Sequence, residues 1–239
     1  MRHVNIFPAP HPQNLILSSL SGGDYERLAP HLEPVRLNSG RVLYNAGDTI
    51  RHAFFLRSGM ASLVSVTENG RAVEVGMIGN EGMVGVPVVL RVGAAPYQVT
   101  VQLPGNALRI KAGVLKAEFD RGGKLQDLLL RYTHTVVTQI AQSAACNRFH
   151  TVEERLCRWL LVSRDRAQTD TLHLTQEFLA QMIGVPRTSV TMIAGELRRA
   201  GLITHSRGKV QLLDLRRLRA SSCECYRVVS KEIGHFAAA

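Results

Sequence analysis

No apolar run in this chain approaches the roughly 20 residues needed to span a bilayer. The opening stretch, MRHVNIFPAPHPQN, carries proline and histidine where a secretory signal needs an apolar core. Both absences imply a cytoplasmic protein with no membrane partner. Cysteine is scarce: there are four, and none precedes position 146, which excludes a disulfide scaffold. His134, His150, His173 and His205 are scattered and lack metal-ligand spacing. A cupin-like metalloenzyme would need clustered His and Glu on its strands, and the sequence lacks that too. No catalytic site, metal site or cofactor is therefore expected. Acidic residues are also few, 19 against 29 Lys and Arg, for a net charge of +10. Such an excess favours a polyanionic partner, because each neutralised phosphate releases counterions.

What is present divides into three regimes. Residues 1–20 read as a loose, Pro-rich lead, and a short helix is predicted over 24–32, with Tyr25, Leu28 and Leu32 on one face. From about 35 to 110, short β-rich runs bounded by Gly, Asn, Asp or Pro recur, as in an antiparallel barrel or roll. Residues 118–147 switch to helical spacing, with Gly122-Gly123 breaking or starting the helix. Its stripe of Leu125, Leu129, Tyr132, Val136 and Ile140 needs burial, either on its own β domain alone or in a homodimer seam with each helix also touching the roll. The seam is the preferred reading. A helix over 151–166, a polar connector, the motif described next and a last helix over 215–233 complete an α+β chain.

Residues 175–213 carry the most information. Two short amphipathic helices flank Gly184-Val185-Pro186, and a basic hairpin follows, the pattern of a winged helix-turn-helix whose partner is double-stranded DNA. Thr175 suits an N-cap, Ala180 must be small where the helices cross, and Gly184 falls where the turn needs a positive φ. Leu179, Ile183, Val190, Ile193 and Leu197 form the small core. On the opposite face of the second helix, Arg187, Thr188, Thr191 and Met192 are the candidates for base contacts. Thr175, Ser189, Arg207 and Lys209 are the candidates for the DNA backbone. Other arginines cluster in or just beyond the motif, at positions 198, 199, 216, 217 and 219.

A roll, a long helix and a C-terminal winged helix in this order resemble the Crp/Fnr family of bacterial transcription regulators. LTQEFLAQMIGVPRTSVTMIAGELRRAGLI and VEVGMIGNEGMVG carry the resemblance most specifically. It implies a cyclic-nucleotide-binding-like sensor over 1–117, a dimerisation helix over 118–147 and a DNA-binding domain over 148–239. It also implies palindromic promoter sites and contact with RNA polymerase. An effector pocket would involve Glu81, Met83, Val84, Gly85, Val86 and Arg91. Laying MVGVPVVL on the family's phosphate cassette puts Val86 where a ribose-binding glutamate belongs, and Ala95-Pro96 fall where an Arg-Ser pair belongs. Glu81 and Arg91 are the nearby charges that would substitute. Classical cyclic AMP binding is not expected, and the effector is left open. The oxygen-sensing branch holds an iron–sulfur cluster with N-terminal cysteines, which this chain lacks.

The four cysteines are expected to be small buried hydrophobes. On a helix, the thiols of Cys223 and Cys225 would point about 200° apart, poor for one ion. The tail SCECYRVV is also found in a sub-branch of the family. A redox- or metal-responsive regulator signalling through Cys223 and Cys225 is the alternative reading.

Overall fold

The computed structural model describes residues 13–206 and 208–237. Its first half is a β-roll of two four-stranded antiparallel sheets. One has the order β1-β8-β3-β6, from Glu33–Leu37, Gly105–Lys111, His52–Leu56 and Met83–Val84. The other has the order β2-β7-β4-β5, from Val42–Tyr44, Gln98–Leu103, Met60–Val66 and Ala72–Ile78. Leu37, Phe55, Leu63, Val99 and Val101 belong to the buried core of the roll. A one-turn helix, α3 (Val86–Val89), follows β6.

The lead is not loose throughout. A short helix, α1 (Leu15–Ser18), is capped by Asn14, whose Oδ1 accepts from the Leu17 amide at 3.2 Å. The Asn14 amide nitrogen donates to the carbonyls of Leu56 at 2.8 Å and Gly82 at 2.7 Å. Those bonds, with Ile16 and Leu17 buried, pin residues 14–17 to the roll. Residues 1–12 of the expected lead lie outside the described residues. The helix predicted over 24–32 is α2 (Gly22–Leu28), continued by a 3₁₀ turn over Ala29–His31.

After the roll come α4 (Ala112–Asp120) and the long α5 (Lys124–Phe149). Gly122 and Gly123, both at φ +82°, separate them, so the long helix starts later than 118. α6 (Val152–Ala167) begins at Thr151 with a capping box to Glu154. The winged unit follows: β9 (Thr171–His173), α7 (Gln176–Ile183), α8 (Arg187–Arg199), β10 (Ile203–Ser206) and β11 (Lys209–Leu212). Its sheet order is β10-β11-β9.

The last helix is two helices, α9 (Leu215–Ala220) and α10 (Cys225–Ala237). Ser221 and Ser222 interrupt it; the Ser222 hydroxyl bonds back to the Arg219 carbonyl at 2.9 Å, as serines do at helix ends. Cys223 therefore precedes α10 instead of riding on it. Among the described residues, no helix is long and apolar enough to cross a membrane.

Candidate nucleic-acid interface and sensor junction

The helix-turn-helix forms from local chemistry. Thr175 caps α7, its hydroxyl accepting from the Phe178 amide at 3.1 Å. Gly184 closes α7 in the left-handed region at φ +70°. Leu179, Ala180, Ile183, Val190, Ile193 and Leu197 are buried together with Trp159 and Leu160 of α6. With that face inward, Arg187, Thr188, Thr191 and Met192 are exposed, Met192 by 60%.

The exposed candidates differ in freedom. Arg187 faces Glu177 at 3.8 Å, and both side chains are largely in solvent, so the pair is worth little and releases easily. The Thr191 hydroxyl lies 2.8 Å from Gln176 Oε1 and 3.0 Å from the Arg187 carbonyl, so its single proton is already engaged. Sequence reasoning passed over Gln176 and Glu177; their place in the first turn of α7, beside the start of α8, was the available signal. Ser189 is half-buried, whereas Thr175 and Lys209 are exposed. Arg207 lies outside the described residues. The wing is tied to α7 through the Leu174 amide, which donates to the Gly208 carbonyl at 2.7 Å.

The winged unit is docked on the roll. Its core continues into Met60, Val64, Met77 and Leu103 of the roll. The Arg155 guanidinium donates to the Ile183 carbonyl, bracing the end of α7. A cleft between the β4–β5 hairpin and the turn is lined by Arg71, Val73, Gly184 and Arg187. Buried Glu74 of β5 accepts from the Trp159 indole at 3.0 Å and from the Ser62 hydroxyl. Burial pushes its carboxyl up to about 7, only partly countered by these donors and by Arg158 and Arg166.

The expected effector residues scatter. Met83, Val84 and Val86 are core residues of the roll. Gly85 caps α3 at φ +121°. Glu81 is buried and paired with Arg166 of α6 at 2.9 Å. Arg91 is exposed and pairs with Asp120 at 3.3 Å. The two charges expected to substitute in a phosphate site therefore serve separate contacts. Glu81 belongs to the junction instead. There Arg166 also reaches Gln139 of α5 at 3.4 Å, and Gln139 exchanges two hydrogen bonds with the backbone of Met77. Gly82 is required in this loop, because an added Cβ would meet the Tyr132 ring at 2.2 Å.

The stripe expected to form a seam on the long helix meets the roll within the chain. Leu125, Leu129, Tyr132 and Val136 are buried within the chain, in the core of the roll, and Ile140 packs against it. The Tyr132 hydroxyl donates to the Met83 carbonyl at 3.2 Å, and its ring lies 5.7 Å from that of Phe236. A different row is exposed: Leu130, His134, Val137, Ala141 and Ala144. Its spacing alternates four and three, the heptad period of helix pairing. Leu130 is 49% exposed and Val137 57%.

The cysteines are also rearranged. Cys157 is a buried member of the winged-unit core, as expected. Cys146, Cys223 and Cys225 instead form a group of their own beside His150.

A β-roll, a long helix exposing a heptad row and a winged helix with a polar recognition face, in this order, make the architecture of a two-domain DNA-binding protein. Residues 34–121 match the cyclic nucleotide-binding domain and residues 154–221 the Crp-like helix-turn-helix domain. The transcriptional regulator SdrP of Thermus thermophilus is 26% identical over 193 residues, covering 74% of this chain and 92% of that protein. A Crp/Fnr-family regulator from Eubacterium rectale superposes with a TM-score of 0.69 at 17% identity, covering 89% of this chain and 97% of the other. The c-di-GMP responsive global regulator CLP of Xanthomonas campestris gives a TM-score of 0.63 at 17% identity, covering 81% of this chain and 100% of the other. The chain belongs to the Crp/Fnr family and is a transcriptional regulator with a cyclic-nucleotide-binding-type sensor domain and a helix-turn-helix that binds DNA.

Proposed function

We propose that the protein acts as a homodimer that sets two α8 helices in successive major grooves of a two-fold symmetric promoter site. There it works with RNA polymerase and has no catalytic activity of its own. The observation that carries this reading is the pairing of two exposed surfaces, the Arg187–Met192 face of α8 and the Leu130–Ala144 row of α5. The row supplies a helix-pairing surface whose small residues at 141 and 144 permit close approach of a partner helix. The face supplies Arg187 for a guanine edge, with Thr188 and Met192 beside it.

Classical cyclic AMP is not the effector in this reading. Buried Val86 and Ala95 stand where ribose and phosphate partners belong, and an apolar pair cannot compensate a buried phosphate. The signal reaches DNA through the junction of Glu81, Arg166, Gln139 and Glu74. DNA access to the start of α8 and docking of the β4–β5 hairpin compete for one surface, the cleft lined by Arg71 and Arg187.

Selection of bound sites from random DNA tests the proposal. A two-fold repeat with half-sites about one turn, roughly 34 Å, apart is expected. Affinity should fall steeply with salt, as contacts from two protomers require. Enrichment of a single unrepeated half-site would contradict the dimeric reading.

A further inference from the structure

We infer that Cys146, His150, Cys223 and Cys225 form a tetrahedral site for one thiophilic divalent ion of the zinc class, clasping the end of α5 to the start of α10. The three sulfurs and one imidazole nitrogen all lie within 4.8 Å of one another. Cys146 Sγ is 3.6 Å from Cys223 Sγ, and Cys225 Sγ is 3.5 Å from His150 Nδ1. A tetrahedron with bonds of about 2.3 Å to sulfur and about 2.05 Å to nitrogen has edges of about 3.8 Å between sulfurs and about 3.6 Å between sulfur and nitrogen. The Cys146–Cys223 and Cys225–His150 separations match those edges, and the remaining pairs lie within 4.8 Å, within reach of the edges by small side-chain adjustments. These separations are far beyond the roughly 2.05 Å of a disulfide. Ligand atoms this close leave room for one ion and none for a polynuclear iron–sulfur cluster.

The surroundings are those of a metal site. Cys146, Cys223 and Cys225 are 0%, 4% and 0% exposed and form a buried group apart from the aliphatic cores. Thiols serving as small hydrophobes would disperse among Leu and Val, as Cys157 does. His150 turns Nε2 to the Glu224 carboxylate at 3.2 Å, which leaves Nδ1 facing the sulfurs. That is the carboxylate–histidine–metal relay that fixes the tautomer of a ligand. The Gln142 amide nitrogen donates to Cys225 Sγ at 3.0 Å, a contact that suits a thiolate acceptor.

The charge also closes. Binding converts a divalent ion, three thiols and a neutral imidazole into a complex with one net negative charge and three released protons. Arg155 and Arg158 of α6, both buried, interact electrostatically with Cys146. Each keeps a buried Nε without a hydrogen-bond partner. Two cations of this kind suit an anionic complex.

The chain topology hid this site. Cys146 and His150 sit four apart at the end of α5, whereas Cys223 and Cys225 follow the winged unit, with 77 residues separating Cys146 from Cys223. The break at Ser221-Ser222 frees Cys223 from the helix, so both thiols of the Cys-x-Cys pair turn to one point. An ion there ties the hinge that leads into α6 to the segment that leaves the wing, and its binding energy adds to the docked arrangement.

The test is metal analysis and cobalt substitution of the full-length protein, purified reduced and without chelator. One zinc-class ion per chain is expected. After chelator stripping, Co²⁺ should give the visible absorption of tetrahedral cobalt with thiolate charge transfer, saturating at one equivalent. Cys223→Ser and His150→Ala should each weaken cobalt binding at least tenfold, and Glu224→Gln about tenfold to a hundredfold, as loss of an outer partner does. Cys157→Ser should bind like the parent. If a ligand variant does not fold, the parent's stoichiometry and cobalt spectrum still decide. Three results would each overturn the site: octahedral cobalt without charge transfer, acid-labile sulfide in the purified protein, or a Cys146–Cys223 disulfide formed while added zinc is ignored.

Discussion

Along α5, one face presents Leu125, Leu129, Tyr132 and Val136 to the roll, and the other presents Leu130, His134, Val137, Ala141 and Ala144 to solvent. The inner face is large, aromatic and keyed by hydrogen bonds, through Tyr132 to Met83 and Gln139 to Met77. The outer face is smaller and repeats in heptads. The most apolar stripe on a helix thus reports its most intimate partner, which here is the chain's own sensor. The surface left exposed, which the proposed dimer would use, is the modest one. This division also links the two faces of α5, because Tyr132 behind its outer face lies against Gly82 and Met83 of the loop that holds Glu81.

Charging the inner face should do the most damage. Val136→Asp should bury an unpaired carboxylate, cost about 3–5 kcal/mol and lower the melting temperature by roughly 10 °C. Calorimetry would check it; a fully stable, merely monomeric variant would place Val136 in a dimer seam instead.

Next comes the junction behind that face. Glu74 ionises near pH 4.5 when unfolded and near 7 when folded, so the native state holds the extra proton between those values. Stability from this group is therefore full below about 4.5 and is lost as pH rises through about 7, by up to about 3 kcal/mol. Glu74→Gln keeps an acceptor for Trp159 and should flatten that slope. Denaturant melts of both proteins between about pH 5 and 8 compare them directly; parallel curves would remove Glu74 from the pH response.

Smaller effects are expected on the recognition face, whose side chains carry no fold. Arg187→Ala should relax preference at one base pair per half-site by about 1–3 kcal/mol and leave melting unchanged. Lys209→Ala should weaken all sequences alike and reduce the salt slope by about one for each phosphate the lysine neutralises. Site selection and salt titrations on the two variants separate reading from anchoring. An unchanged base preference for the Arg187 variant would shift base reading to Thr188 and Met192.

Much of this was legible in the sequence, for a physical reason. The winged unit closes its core within about forty residues, so Thr175, Ala180 and Gly184 state their roles through local rules. The roll was legible as strand punctuation. Periodicity marked the stripe on α5 correctly but carries no information about what covers it, and within the chain the roll covers it. Asn14 caps a helix only because the carbonyls of Leu56 and Gly82 receive its amide, and no local pattern encodes that meeting. Glu81 and Arg91 looked like spare charges in one loop; folding gives each a separate partner. The Cys and His group was the least legible, because it joins two segments across the whole winged unit.

Sedimentation of the Leu130→Glu, Val137→Glu double variant, with and without its selected DNA site, decides whether the outer row of α5 joins two copies. Both positions are about half exposed in the chain, so the fold should tolerate the charges while two copies facing each other would not. The expected outcome is a folded monomer with parental melting behaviour and no stable complex on the two-fold site. A variant that still sediments as a dimer and still fills both half-sites would contradict the assignment of the seam to this row.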